Sequence, residues 1–227
     1  MVRQSRSEVT RRKIIDSAVD LINEIGYPAS GLADIIERAE LTKGALYYHF
    51  DSKEALATVI IEEAMALLLD VFQAARDSDC RALESVIQGT FTASDLLTVD
   101  RTVRAGVRLL RTFDSFNPTS RFAYQNFLDQ FARDITRAAD EGDIRSDLNP
   151  VQVSQSLVAA IFGVEVLSSA LTAWADMRDR FTDMWNLLLP AIVVDNELSY
   201  YRAVVEAASM TKADFSIPDA PKIHIAN

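Results

Sequence analysis

Apolar residues recur at three- and four-residue intervals along almost the whole chain, with no clear runs that alternate every second residue, so the pattern predicts an all-α protein. Ile14, Ala18, Leu21, Ile22 and Ile25 form one stripe, predicting a helix from about Glu8 to Ile25 that Gly26 stops. Met1 to Ser7 ahead of it is expected to be an arm carrying Arg3 and Arg6. The stretch LADIIERAELTKGALYYHF, Leu32 to Phe50, divides into two short helices about a tight turn. Ala33, Ile36 and Ala39 are expected to face inward from the first, Leu41 to sit in the turn, and Ala45 and Leu46 to face inward from the second. Asp51-Ser52-Lys53-Glu54 reads as a capping box with Asp51 as the cap, opening a long helix to about Ala75. Leu56, Val59, Ile60, Met65, Leu67, Leu68 and Phe72 spread around that helix, which therefore packs on more than one side.

Beyond the polar connection Arg76 to Cys80, the periodicity predicts helices over about 81–97, 101–113, 121–140, 150–173, 177–189 and 197–210. Asn117-Pro118 marks a loop over 114–120, Asn149-Pro150 opens a helix as cap and first-turn proline, and Pro190 interrupts the next one. The tail from Lys212 is expected to be extended or disordered. The resulting division is 1–51 for an N-terminal three-helix domain, 52–211 for a helical body and 212–227 for the tail.

Composition narrows the class. Apolar residues make up 49% of 227, enough for a substantial core. One cysteine, Cys80, allows no intrachain disulfide and fits a reducing cytoplasm. The basic N-terminus has no apolar run behind it, so no signal peptide is expected. The longest apolar stretch, Leu157 to Leu171, is broken by Glu165, Ser168 and Ser169, so no membrane span is expected either. Two histidines, His49 and His224, and seven scattered glycines offer no metal cluster, phosphate loop or catalytic constellation; no cofactor and no enzyme activity are expected.

The net charge is −10, which taken alone argues against a nucleic-acid partner. Its distribution changes the picture. Residues 1–57 hold eight Lys/Arg against nine Asp/Glu, and five of those cations precede Ile14, so nearly all the excess acid lies in the body. Local charge governs the release of counterions from DNA. On the second short helix Lys43, Tyr47, Tyr48 and His49 are left facing outward, with Thr42, Lys43, Gly44 and Ala45 at its start. Cations, hydroxyls and aromatic planes at a helix N-terminus suit a phosphate backbone and base edges, as in a helix-turn-helix whose second helix enters the major groove.

Leu41 to Phe50 followed by Ser52-Lys53-Glu54-Ala55-Leu56, with IIDSAVDLINEIGY (Ile14 to Tyr27) ahead, resembles the DNA-binding signature of the TetR family of bacterial repressors. Glu40 departs from the pattern, standing in the inter-helix turn where the family usually has Gly; it tolerates a left-handed backbone less well and brings negative charge near DNA. The resemblance implies a homodimer on a palindromic double-stranded operator. Lys43 is the base-reading candidate, and Tyr47, Tyr48, His49 and Lys53 are phosphate candidates. Ser30 has two readings, phosphate contact or helix cap. It also implies a C-terminal body that binds a small molecule and pairs through its last long helices, for which Ala159, Ala160, Gly163, Val164, Leu167 and Ala170 suit close approach.

Arg104-Ala105-Gly106-Val107-Arg108-Leu109 and Met184-Trp185 resemble, more thinly, the γ-butyrolactone receptor branch of that family. There a pocket tryptophan is typical, and the matching position here is Phe127. The implied ligand is a small apolar signal molecule. The residues expected to meet it are Phe72, Gln88, Thr90, Phe91, Ser94, Val107, Leu110, Phe127, Phe131, Phe162 and Glu165, with Thr112 as a further polar candidate. The aromatic stripe Phe122, Phe127 and Phe131 reads equally as packed core, and Glu165 as paired with an Arg across the dimer, pocket-lining or surface. Two other classes stay open: a binding module whose helix-turn-helix no longer reads DNA, and an all-α enzyme using the body's cavity.

Overall fold

The computed structural model describes residues 2–113 and 117–215. The side chain of Arg3, part of the 114–120 loop and the tail beyond 215 lie outside them. The described residues form ten helices, α1 (Val2–Ile25), α2 (Leu32–Arg38), α3 (Lys43–His49), α4 (Lys53–Arg76), α5 (Ala82–Val99), α6 (Arg101–Phe113), α7 (Pro118–Asp140), α8 (Pro150–Thr172), α9 (Met177–Ile192) and α10 (Leu198–Met210). An antiparallel bridge pairs Ile144 with Val193. The all-α expectation holds.

Helices α1–α3 close over Ile14, Ile15, Ala18, Ile22, Ile35, Leu46 and Phe50, all buried. In α2 the inward residues are Ile35 and Ala39, with Ile36 half-buried and Ala33 exposed, so its phase is turned from the expected one. Leu46 is inward on α3 as expected. The expected arm is also corrected: the helix runs back to Val2, and at its other end Ile25 is exposed where Gly26, at φ 78, closes it. The α2–α3 turn is a Schellman closure, with Glu40 N–H donating to Glu37 O and Leu41 N–H to Ile36 O. Glu40 holds its left-handed position at φ 51. Thr42 caps α3, its hydroxyl oxygen accepting from Ala45 N–H at 3.2 Å. Ser52, not Asp51, caps α4, accepting from Ala55 N–H at 3.0 Å.

The body wraps α4. Gly106 is where α6 crosses it: a Cβ there would lie 2.1 Å from Ala64 Cβ. Asn117 and Asn149 cap α7 and α8 ahead of Pro118 and Pro150. Pro118 thus starts a helix in what the sequence marks as loop. Pro190 lies inside α9, exposed in its last turn, where the carbonyl that its ring leaves unpaired can face water. Between α8 and α9, Ala173 and Trp174 are both left-handed, at φ 50 and 67.

By length and composition α8 is apolar enough to cross a membrane, with mean hydropathy 1.5 over its best window, of which 33% is buried. Its inner side, with Leu157, Val158 and the ion-paired Glu165, packs in the body. Its outer side shows Ala159, Gly163, Val166, Leu167, Ala170 and Leu171, and Leu187 is exposed on α9. Ala160 and Val164, also expected there, are half-buried and packed on the core instead.

Candidate nucleic-acid interface and ligand cavity

Short helix α3 presents Lys43, Gly44, Tyr47 and Tyr48 outward, with Ala45 and His49 half-buried and Thr42 exposed at its cap. Lys43 Nζ lies 5.7 Å from the Tyr47 ring centroid and has no carboxylate within ion-pair distance among the described residues. Tyr48 is 80% exposed, its ring edge-on to His49 at 5.0 Å. Arg6 is exposed on α1 and Arg11 stacks over Phe50 at 5.4 Å, so two further cations stand on this domain. Other cations are occupied: Arg12 with Asp16 and Glu63, Lys13 with Glu40, and Arg38 with Glu24.

Two expected contacts are turned elsewhere. Ser30 is fully buried and its hydroxyl donates to Tyr27 O at 3.0 Å; Gly31 caps α2, so Ser30 is not the cap and its side chain is closed to the surface. Lys53 Nζ donates to the same carbonyl and sits 4.0 Å over the Tyr27 ring, where burial lowers its pKa. Tyr27 gathers both because it closes the α1–α2 connection, and its hydroxyl is pushed up to about 12 by burial and Glu54. The sequence signal for this was faint: a tyrosine after the helix-ending Gly26.

In the body, α4, α5, α6, α7, α8 and α9 enclose a narrow cavity of about 60 Å³. Of the expected residues, Phe72, Thr90, Ser94, Val107, Phe127, Phe131, Phe162 and Glu165 line it. Phe127 meets Phe72 and Phe162 edge-on, at 6.3 and 5.8 Å between centroids, and Phe131 meets Phe72 at 5.2 Å. Gly89 leaves room for the Phe72 ring, whose nearest atom would lie 2.5 Å from an added Cβ.

Four expected residues are elsewhere. Gln88 points to the opposite side of α5, bonding Glu84 at 2.9 Å beside Tyr200. Phe91 is buried between Arg178 and Phe181. Leu110 is buried in the core away from the wall, and Thr112 lies at an outer cleft with Tyr27 and Arg108. Phe122 is 71% exposed, which removes it from the aromatic stripe. The wall also includes Leu68, Ala93, Leu97, Val158, Ile161, Met177 and Phe181. Helical spacing was the available signal: Leu68 lies one turn before Phe72, and Val158 and Ile161 share the face of Phe162 and Glu165.

Glu165 lines the cavity and is paired within the chain. Arg111 Nη1 donates to its two oxygens at 3.0 and 2.8 Å, and Trp174 Nε1 donates at 2.9 Å. Burial raises its pKa, while Trp174 and Arg111 pull the other way. The left-handed Ala173-Trp174 pair returns the indole to Glu165, and Arg108 lies 5.0 Å over that indole. Arg108 in turn donates to Asn23 O of α1 at 2.7 Å. Asn23 also donates to Arg101 O at 2.8 Å, and Arg101 pairs with Asp20 at 2.5 Å. Thus α6 touches the cavity on one side and holds α1 on the other.

The chain matches the family model described as bacterial regulatory proteins, tetR family, over residues 14–68, and the tetracyclin repressor-like C-terminal domain over 80–194. It is 29% identical over 192 residues to the A-factor receptor protein of Streptomyces griseus, covering 85% of this chain and 67% of that one. A crystal structure of a γ-butyrolactone receptor (ArpA-like protein) superposes with TM-score 0.75 at 25% identity, over 90% of this chain and 98% of the other. The TetR family protein CprB from Streptomyces coelicolor, in complex with its biological operator sequence, superposes with TM-score 0.74 at 25% identity and the same coverage. These matches span both the helix-turn-helix and the body, and the chain belongs to the TetR family of bacterial regulatory proteins.

Proposed function

We propose that the protein is a cytoplasmic homodimeric repressor that leaves a palindromic operator when a small apolar molecule, γ-butyrolactone-like in kind, enters the body's cavity. The functional division falls after Asp51, in the turn that leads into α4. Lys43 reads base edges from the start of α3, Tyr47, Tyr48 and His49 hold phosphates, and Arg3 and Arg6 add cations from α1. Two copies pair through the outer faces of α8 and α9, presenting two α3 helices to half-sites about 34–36 Å apart.

What supports the reading most is the continuity of α6 between Val107 on the cavity wall and Arg108 on α1. Small-molecule sites usually enclose about 300–1,000 Å³. A cavity of about 60 Å³ must therefore widen to admit such a ligand. Widening displaces α4 and α6, which cross too tightly at Gly106 to yield independently. The ligand thus favours a state in which α1–α3 are re-aimed, and only its preference for that state weakens DNA binding.

The test is titration of the duplex flanking the protein's own gene at two salt concentrations, with DNase footprinting. A symmetric footprint whose affinity falls steeply with salt supports the reading. Absence of specific binding there and in a genome-wide operator selection would favour the rival module that no longer reads DNA.

A further inference from the structure

Thr90, Ser94 and Glu165 are the hydrogen-bonding side chains on the cavity wall, and two of them are committed within the protein. Thr90 donates its hydroxyl hydrogen to Val86 O at 2.7 Å. Both Glu165 oxygens accept from Arg111, and one also accepts from Trp174. Ser94 Oγ is fully buried and has no hydrogen-bond partner among the described residues. Its own helix supplies the contrast. On α5, Ser85, Thr90, Thr92 and Thr98 each donate to a carbonyl three or four residues back, at 2.7–3.0 Å. Ser94 does not. Leaving a buried hydroxyl unpaired carries a desolvation penalty that a partner removes.

Resting on the reading of this cavity as the signal site, we infer that Ser94 is the ligand's polar anchor, donating its hydroxyl hydrogen to a carbonyl-type oxygen of a neutral, mostly hydrocarbon molecule. Ser94 O–H is the uncommitted donor on this wall, whereas a ligand hydroxyl could also donate to the lone pairs of Thr90. Charge is selected against on both sides. A ligand carboxylate would be brought into a cavity that already holds Glu165, and an ammonium would compete with Arg111 for that same carboxylate. Ketones, esters and lactones with apolar bodies fit these terms; fatty acids and alkylamines do not.

The test uses the full-length protein with N-phenyl-1-naphthylamine as a fluorescent occupant. It is displaced by butylbenzene, by its carbonyl counterpart 4-phenylbutan-2-one, and by the anion 3-phenylpropionate. Ser94→Ala is expected to weaken the ketone about fivefold, one neutral hydrogen bond's share, and to leave butylbenzene within about twofold. Ser94→Thr is expected to restore most of the ketone's affinity, and the anion to bind more weakly than the ketone in every variant. Thermal melts establish that the variants are folded. Equal losses for ketone and hydrocarbon, no loss for either, or tighter binding of the anion overturns the anchor alone. Failure of the wild-type protein to take up the fluorophore and all three displacers overturns the signal-site reading, and the anchor with it.

Discussion

Glu40 stands in a left-handed turn that glycine would hold without strain. An L-residue there costs roughly 1–2 kcal/mol, partly offset because glycine would leave the unfolded chain freer. Its exposed carboxylate also draws Lys13 to 3.1 Å, taking one cation of the DNA domain out of play. Glu40→Gly is therefore expected to raise stability by on the order of 0.5–1 kcal/mol in denaturant titrations. It is also expected to tighten duplex binding, most visibly at low salt. Lys43 makes the opposite case. It is exposed and touches no core residue, so Lys43→Ala is expected to leave the melting temperature unchanged while lowering specific operator affinity by about tenfold or more. Unchanged affinity in the folded dimer would remove Lys43 from the interface. The sides of α3 were legible in the sequence because a helix's phase follows from which residues are apolar, and Leu46 fixes it. Ser30 and Lys53 were not legible in the same way. Both are claimed by the Tyr27 carbonyl, whose direction depends on how the α1–α2 loop turns, not on any spacing.

At the scale of elements, the crossing of α4 and α6 decides how the body can move. Gly106→Ala would force a methyl against Ala64, and overpacking of this kind costs about 1–3 kcal/mol. The paired change Ala64→Gly with Gly106→Ala moves the methyl to the other helix and is expected to recover most of the loss in thermal melts. Equal destabilisation in the single and double variants would show that this contact does not set the crossing. Helices were readable wherever an asparagine–proline pair announced a start, as at Asn149-Pro150, and where the periodicity ran unbroken, as in α4 and α10. Proline misled twice. Asn117-Pro118 is a helix start, not a loop, and Pro190 rides in an exposed last turn. The cavity wall was legible for the residues facing inward from α4, α7 and α8. It was misjudged on α5, where Gln88, Thr90, Phe91 and Ser94 crowd one sequence window and only the helical phase sorts wall from core and surface. The Ala173-Trp174 turn carried no signal, since neither residue favours a left-handed backbone; the indole's bond to Glu165 and the Arg108 stack accompany it.

For the whole molecule, the separation of charge permits an acidic protein to approach DNA, because the excess of acid lies in the body and Lys43, Arg6 and Arg11 lie in the N-terminal domain. On the proposed reading, the apolar outer side of α8 pairs with a second copy of the chain. Leu167 is exposed and its replacement spares the core, so Leu167→Arg is expected to yield folded monomers by sedimentation. Their operator affinity is expected to fall by more than about tenfold, since a monomer holds one half-site. A dimer that survived both Leu167→Arg and Gly163→Arg would place the interface elsewhere. The central claim is that occupation of the cavity and occupation of DNA oppose each other. The most direct measurement fractionates an organic extract of the host culture and assays each fraction twice, for displacement of N-phenyl-1-naphthylamine from the protein and for dissociation of the operator complex in a gel shift. The account expects one fraction to do both over the same concentration range. A fraction that empties the cavity of the fluorophore yet leaves the operator complex intact would contradict it.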